Sequence, residues 1–98
     1  MTPTYKYKGK PLTEQACVEL IIERFNGKDN IPIERISETC TQEHVQRGGL
    51  NEKQPKSNSP VTYALYALKR VGFVDNPKKG FWNIMSIDDM IARLQTFL

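Results

Sequence analysis

One histidine, His44, two cysteines, Cys17 and Cys40, and eleven carboxylates are the side chains of this 98-residue chain that are equipped for acid–base, nucleophilic or metal chemistry. Their spacing does not assemble a site. Cys17 and Cys40 lie too far apart for a CxxC redox or zinc motif, and read as reduced, packed residues of a cytoplasmic protein. His44 falls on a polar stretch and reads as a solvated helix residue, with no nucleophile at a spacing that would make it a general base. Neither a Gly-rich phosphate loop, an HExxH pair nor an EF-hand loop occurs. The expectation is a non-catalytic protein with no metal, no cofactor and no small-molecule substrate.

The basic residues offer different chemistry, the neutralisation of a polyanion. The net charge is only +3, but it is unevenly spread. Residues 1–12 carry +3, residues 13–46 carry −4, residues 47–79 carry +5 and residues 80–98 carry −1. Such separation suits either a basic face for nucleic acid or a merely solvated surface, and charge alone does not choose. No apolar run approaches the length of about 20 residues that a membrane span needs, and MTPTYKYKGK lacks the apolar core of a signal peptide.

Positioning those bases requires elements, and the apolar pattern supplies them for one domain over residues 1–98. Residues 1–12 read as a basic arm or a short edge strand, because Tyr5-Lys6-Tyr7-Lys8 alternates with period two. Thr13 is the N-cap of a helix over 13–26, carrying Cys17, Val18, Leu20, Ile21, Ile22 and Phe25, and Asn26-Gly27 ends it. Residues 30–33 allow a stub strand. A second helix over 33–46 turns Ile33, Ile36 and Cys40 inward and stops at Gly48-Gly49, with Thr41 as a possible break. Residues 51–58 are polar and loop-like.

Ser59-Pro60 then opens a third helix with an N-cap followed by proline at the first helical position. Its stripe is Val61, Ala64, Leu65, Leu68 and Val71, and Gly72 stops it. Two β-prone runs, 73–74 and 81–84, form a hairpin around Asp75–Gly80, in which Trp82 reads as a structural residue pinning the turn. Ser86 and Asp89 make a capping box for a last helix with Ile87, Met90, Ile91, Leu94 and Leu98 on one face. The fold class that results is α+β and mostly helical: a winged helix-turn-helix with an additional C-terminal helix.

In that architecture the third helix enters the major groove and the hairpin, or wing, touches the flanking backbone. At 100° per residue the side opposite the stripe carries Thr62, Tyr63, Tyr66, Lys69 and Arg70, with Ser59 at its head. This face serves DNA contact, or else Tyr63 or Tyr66 packs on a neighbouring segment. Lys53, Gln54, Lys56, Ser57 and Asn58 lead into the helix N-terminus, whose free N–H groups suit a phosphate oxygen. Lys78 and Lys79 are the wing contacts, and Lys6, Lys8 and Lys10 form either a reaching arm or a frayed end. The partner these residues imply is double-stranded DNA. The rival is a protein-interaction or dimerisation module. The last helix either pairs with a second copy or folds back across the first helix.

Residues 63–84 carry a family likeness. Tyr63-Ala64 and Leu68-Lys69-Arg70-Val71-Gly72-Phe73-Val74 resemble the third helix of the N-terminal winged-helix domain of Mrr-like restriction endonucleases. Asn76-Pro77-Lys78-Lys79-Gly80-Phe81-Trp82-Asn83-Ile84 resembles that family's wing, in which an aromatic or aliphatic residue follows a Pro-basic-basic-Gly turn. The likeness covers 30–62 only loosely, and 1–29 no further than an opening helix. It implies DNA binding by an accessory domain whose usual partner is a nuclease domain. These 98 residues hold no such nuclease, since no lysine has Asp or Glu two positions before it.

Overall fold

The computed structural model describes residues 4–50 and 59–96. In chain order it contains α1 (Glu14–Phe25), β1 (Ile31–Pro32), α2 (Ile33–Gln46), α3 (Pro60–Arg70), β2 (Val74–Lys78), β3 (Phe81–Ile84) and α4 (Ile87–Gln95). This is the winged-helix order with a fourth helix appended.

Local chemistry sets the helix bounds. The Thr13 hydroxyl accepts from the Ala16 N–H at 3.3 Å, and Glu14 sits in the positive first turn of α1. Gly27, at φ +78°, turns the chain out of α1 so that its N–H reaches the Ile84 carbonyl at 3.0 Å. The Ile84 N–H returns to the Lys28 carbonyl at 2.8 Å, clipping the helix exit to the sheet. Thr41 does not break α2, which runs unbroken from Ile33 to Gln46.

The sheet is antiparallel in the order β1-β3-β2, with Ile31 opposite Trp82, Pro32 opposite Phe81 and Val74 opposite Ile84. β2 runs to Lys78, whereas the sequence suggested a loop from Asp75. The reason is Asn76, whose side-chain amide donates to the carbonyls of Lys78 (2.9 Å) and Phe81 (2.7 Å). These bonds hold a bulge between Asp75 and Lys78, where Pro77 has no N–H to offer the ladder.

The core lies where α1, α2 and α3 meet the sheet. Leu20, Ile21, Ile36, Leu65 and Ile84 are its largest fully enclosed apolar side chains. Trp82 is buried as expected, and so are both cysteines, neither of them in a disulfide. The hydrogen bond between the two thiols, reinforced by burial, pushes the Cys17 thiol far above its ordinary range, so it stays protonated. Val71 departs from the expected stripe: it is the C-cap residue of α3 and half exposed.

The first residues depart further. Residues 4–10 are neither a strand nor a frayed arm. They form turns, in which Lys8 N–H donates to the Tyr5 carbonyl (3.1 Å) and Lys10 N–H to that of Tyr7 (3.0 Å). Backbone bonds from Gly9 to Gly48 (2.8 Å) and from Leu50 to Lys10 (2.9 Å) tie this segment to the exit of α2. The alternation survives in the side chains: Tyr7 is buried and Tyr5 half-buried, while Lys6 and Lys8 face water.

His44, expected in solvent, is 1% exposed beneath this segment. Its Nε2 lies 2.8 Å from the Lys10 carbonyl, which can only accept, so Nε2 carries the proton. Nδ1 therefore accepts from the Tyr5 hydroxyl, also at 2.8 Å. A buried imidazole with both nitrogens satisfied is a structural residue.

Met90 is the α4 side chain that enters the core, while Ile87, Ile91 and Leu94 stay about half exposed. The helix therefore does not fold back to cover its stripe. Leu98 lies outside the described residues. Among the described residues, no helix is long and apolar enough to cross a membrane.

Candidate nucleic-acid interface

α3 is pinned on two sides, against α1 and against β2, so its core face is fixed and its opposite face is presented. Val61, Ala64, Leu65 and Leu68 are buried, which turns Tyr63, Tyr66, Lys69 and Arg70 to the surface. Thr62 and Ser59 are half-buried at the margin. The two tyrosines are 50% and 53% exposed, a large fraction for aromatic rings in a chain with a complete core. Lys69 and Arg70 close the last turn of the helix, where cations also offset the dipole.

Tyr66 has a second role. Its ring meets Trp82 edge-on, with centroids 5.7 Å apart and planes at 86°. Part of the packing alternative is therefore realised: one edge of Tyr66 is docked on β3 while the rest faces water. The contact joins α3 to the hairpin through one aromatic pair. Trp82 Nε1 is buried and has no hydrogen-bond acceptor among the described residues.

At the wing, Lys78 and Lys79 are exposed around the turn at Gly80, which adopts φ +82°. Lys78 Nζ sits 4.4 Å from the Phe81 ring centroid, a cation–π contact that steadies the stem and leaves the ammonium accessible. The tip is held from below, since the Ile33 N–H at the start of α2 donates to the Gly80 carbonyl at 2.9 Å. Ser59 occupies the N-cap position of α3, but its hydroxyl makes no capping bond. Lys53, Gln54, Lys56, Ser57 and Asn58 lie outside the described residues.

Several bases are committed elsewhere. Arg47 grips Glu23 with both terminal nitrogens (2.5 and 3.0 Å) and Glu43 through Nε at 3.2 Å. It also lies over the Tyr5 ring at 5.8 Å. The Arg47 hydrogen bonds hold the Glu23 carboxyl below its ordinary range. Lys6 pairs with Glu19 at 3.5 Å, and Glu19 also accepts from the Tyr7 hydroxyl. The Glu19 charge is what raises the Lys6 ammonium above its usual value. Neither Arg47 nor Lys6 is a free contact for a polyanion.

Composition sums did not reveal an open cleft of about 570 Å³ where the end of α1, the 26–30 turn, β1 and α2 meet. Arg24, Lys28 and Arg35 line it above Phe25, Ile31 and Pro32. The signal was present but cancelled: these are all three bases of the stretch 13–46, which also carries seven acids.

Among known proteins, the sequence is similar to an uncharacterized MCM-type protein of Methanocaldococcus jannaschii, 34% identical over 87 residues. The alignment covers 83% of this chain and 10% of that protein. The chain thus spans about a tenth of the relative's length. No family model matches the sequence. No solved structure matches it.

Proposed function

We propose that this chain is a non-catalytic winged-helix module that binds double-stranded DNA, with α3 in the major groove and the wing on the flanking backbone. The observation that carries the reading is the composition of the outward face of α3. Tyr63, Tyr66, Lys69 and Arg70 are all exposed on the side opposite a complete apolar core, and Tyr66 ties that face to the wing that bears Lys78 and Lys79. Tyrosine hydroxyls and a guanidinium reach base edges, and lysines neutralise phosphates. Lys53 and Lys56, at the approach to α3, belong to the same reading.

The likeness of residues 63–84 to the N-terminal domain of Mrr-like restriction endonucleases supports an accessory DNA-binding role. The module then acts as the DNA-binding part of a larger DNA-processing system, or as a small transcription regulator. Cytoplasmic residence fits the two unbonded thiols. A second reading, pairing of two copies through α4, is favoured by the exposure of Ile87, Ile91 and Leu94, and is compatible with the first.

Duplex titrations at two salt concentrations test the reading. Random-sequence duplex is expected to bind with Kd of roughly 1–100 μM, and log K to fall with log salt at about −0.9 for each of some four to six phosphates. Lys78→Ala with Lys79→Ala weakens all sequences alike and flattens the slope by up to ~2, whereas Arg70→Ala alters the preference between sequences. A folded protein that ignores duplex at low salt refutes the proposal.

A further inference from the structure

We infer that the cleft beside β1 is a second nucleic-acid site, one that takes a single strand rather than a duplex. The inference deepens the duplex-binding reading, because it concerns the strand that continues past the wing.

Charge placement is the first argument. Within residues 13–46, Arg24, Lys28 and Arg35 all line this cleft, but of the seven acids only Asp29 does. A stretch that is acidic in sum thus turns a basic concavity to one side. Arg35 makes no ion pair or hydrogen bond among the described residues, and Lys28 lies over the Phe25 ring at 6.0 Å. Arg24 reaches Glu43 at 3.5 Å, a loose contact on a half-exposed side chain. Arg35 is thus wholly available, and Lys28 and Arg24 are each held by a single loose contact.

Shape is the second argument. A duplex is a convex rod and meets protruding elements such as α3 and the wing. A cleft of about 570 Å³ with cations at its rim and Phe25, Ile31 and Pro32 at its floor admits something thinner. One unstacked base with its neighbouring phosphates fits that description: apolar face inward, charges on Arg24, Lys28 and Arg35. Thr39, also in the lining, offers a hydroxyl to a base edge.

Continuity with the wing is the third, and it favours a nucleic acid over an acidic peptide of the same charge. The wing tip is bonded to the elements that form the cleft, through the Ile33 N–H on the Gly80 carbonyl and the pairing of Pro32 with Phe81. A strand leaving a duplex held on Lys78 and Lys79 passes the start of α2, the helix that also carries Arg35. The molecule then reads a junction between paired and unpaired DNA.

Fluorescence anisotropy with three labelled DNAs tests this: a blunt duplex, an oligothymidine of about a dozen nucleotides, and the duplex extended by that tail. The tailed duplex is expected to bind more tightly than either part. Lys28 and Arg35 are exposed, so Lys28→Glu with Arg35→Glu should leave the thermal melt unchanged. At about 0.1 M salt, two lost single-strand contacts at a slope of about 0.7 each lower the affinity for oligothymidine about 25-fold. Blunt-duplex affinity should stay within about twofold, since these charges lie off the duplex face. Lys78→Ala with Lys79→Ala should do the reverse. If the reversals unfold the protein, Lys28→Gln with Arg35→Gln carries the same comparison. Single-strand affinity that ignores both substitutions overturns the inference, as do equal losses on all three DNAs. Displacement of the tail by an acidic peptide more readily than by oligothymidine of equal charge overturns it as well. Cleft-dependent single-strand binding without duplex binding keeps the inference and removes the duplex reading instead.

Discussion

Gly49→Ala is a one-methyl change with an outcome fixed by the His44 ring. A Cβ at position 49 would lie 2.2 Å from Nε2, 2.3 Å from Cε1 and 2.4 Å from Cδ2 of that ring. No such approach is tolerated, so either the ring or the backbone must move. The ring is enclosed and held at both ends, by the Tyr5 hydroxyl on Nδ1 and by its own Nε2–H on the Lys10 carbonyl. The backbone is held as well, since Gly49 N–H donates to the His44 carbonyl at 2.8 Å. Overpacking costs about 1–3 kcal/mol, and each displaced ring bond adds about 1 kcal/mol, more if a buried partner is orphaned. The sum is about 3–5 kcal/mol, which lowers Tm by roughly 15–30 °C in a domain of this size. Thermal melts and urea titrations of Gly49→Ala, His44→Ala and the double variant form the assay. In the His44→Ala background the methyl has room, and Gly49→Ala should cost under about 1 kcal/mol, a coupling of several kcal/mol that adjacent sites can show. Equal costs in both backgrounds, or a loss below about 1 kcal/mol in the wild type, would refute the steric argument.

Two further outcomes follow from burial and charge. Met90→Ala removes the α4 side chain that reaches the core and should cost about 2–4 kcal/mol in urea unfolding, whereas Ile91→Asp should leave the fold intact because its side chain is half exposed. Sedimentation of Ile91→Asp beside the wild type then reads pairing through α4 without interference from unfolding. The depressed Glu23 carboxyl gives a pH signature of definite sign: its bond to Arg47 stabilises the fold above the ordinary carboxylate range and is lost as pH falls through the lower folded value. Glu23→Gln should therefore flatten the acid limb of a stability-versus-pH curve and leave the neutral limb parallel to that of the wild type. An unchanged acid limb would mean that solvent screens this exposed pair completely.

Elements with their own periodic apolar stripe and caps were legible in the sequence. Thr13, Gly27, Ser86 and Gly72 mark helix ends because capping is a local interaction between near neighbours. The outward face of α3 was legible for the same reason, as the complement of a stripe. What escaped notice was non-local. His44 looked solvated because its partners, Tyr5 and Lys10, are 39 and 34 positions away, in a segment whose short alternation gives no sign of what it covers. The β2 bulge was hidden because its donor is a side chain standing in for backbone. The cleft was hidden by summation, as three converging cations were outnumbered along the chain by acids of which only Asp29 shares the cleft.

The two edges of the sheet each carry a proline, Pro32 on β1 and Pro77 at the bulge of β2. β1 is only two residues long and one of them is a proline, and the bulge at Pro77 interrupts the regular edge of β2. Among the described residues, both edges of the sheet are poor templates for an added strand. Copies crowded together, or tethered in tandem within a longer polypeptide, are thereby discouraged from merging their sheets into a continuous ribbon. Such edges favour association through side-chain surfaces, where charge and shape can discriminate between partners as bare backbone cannot.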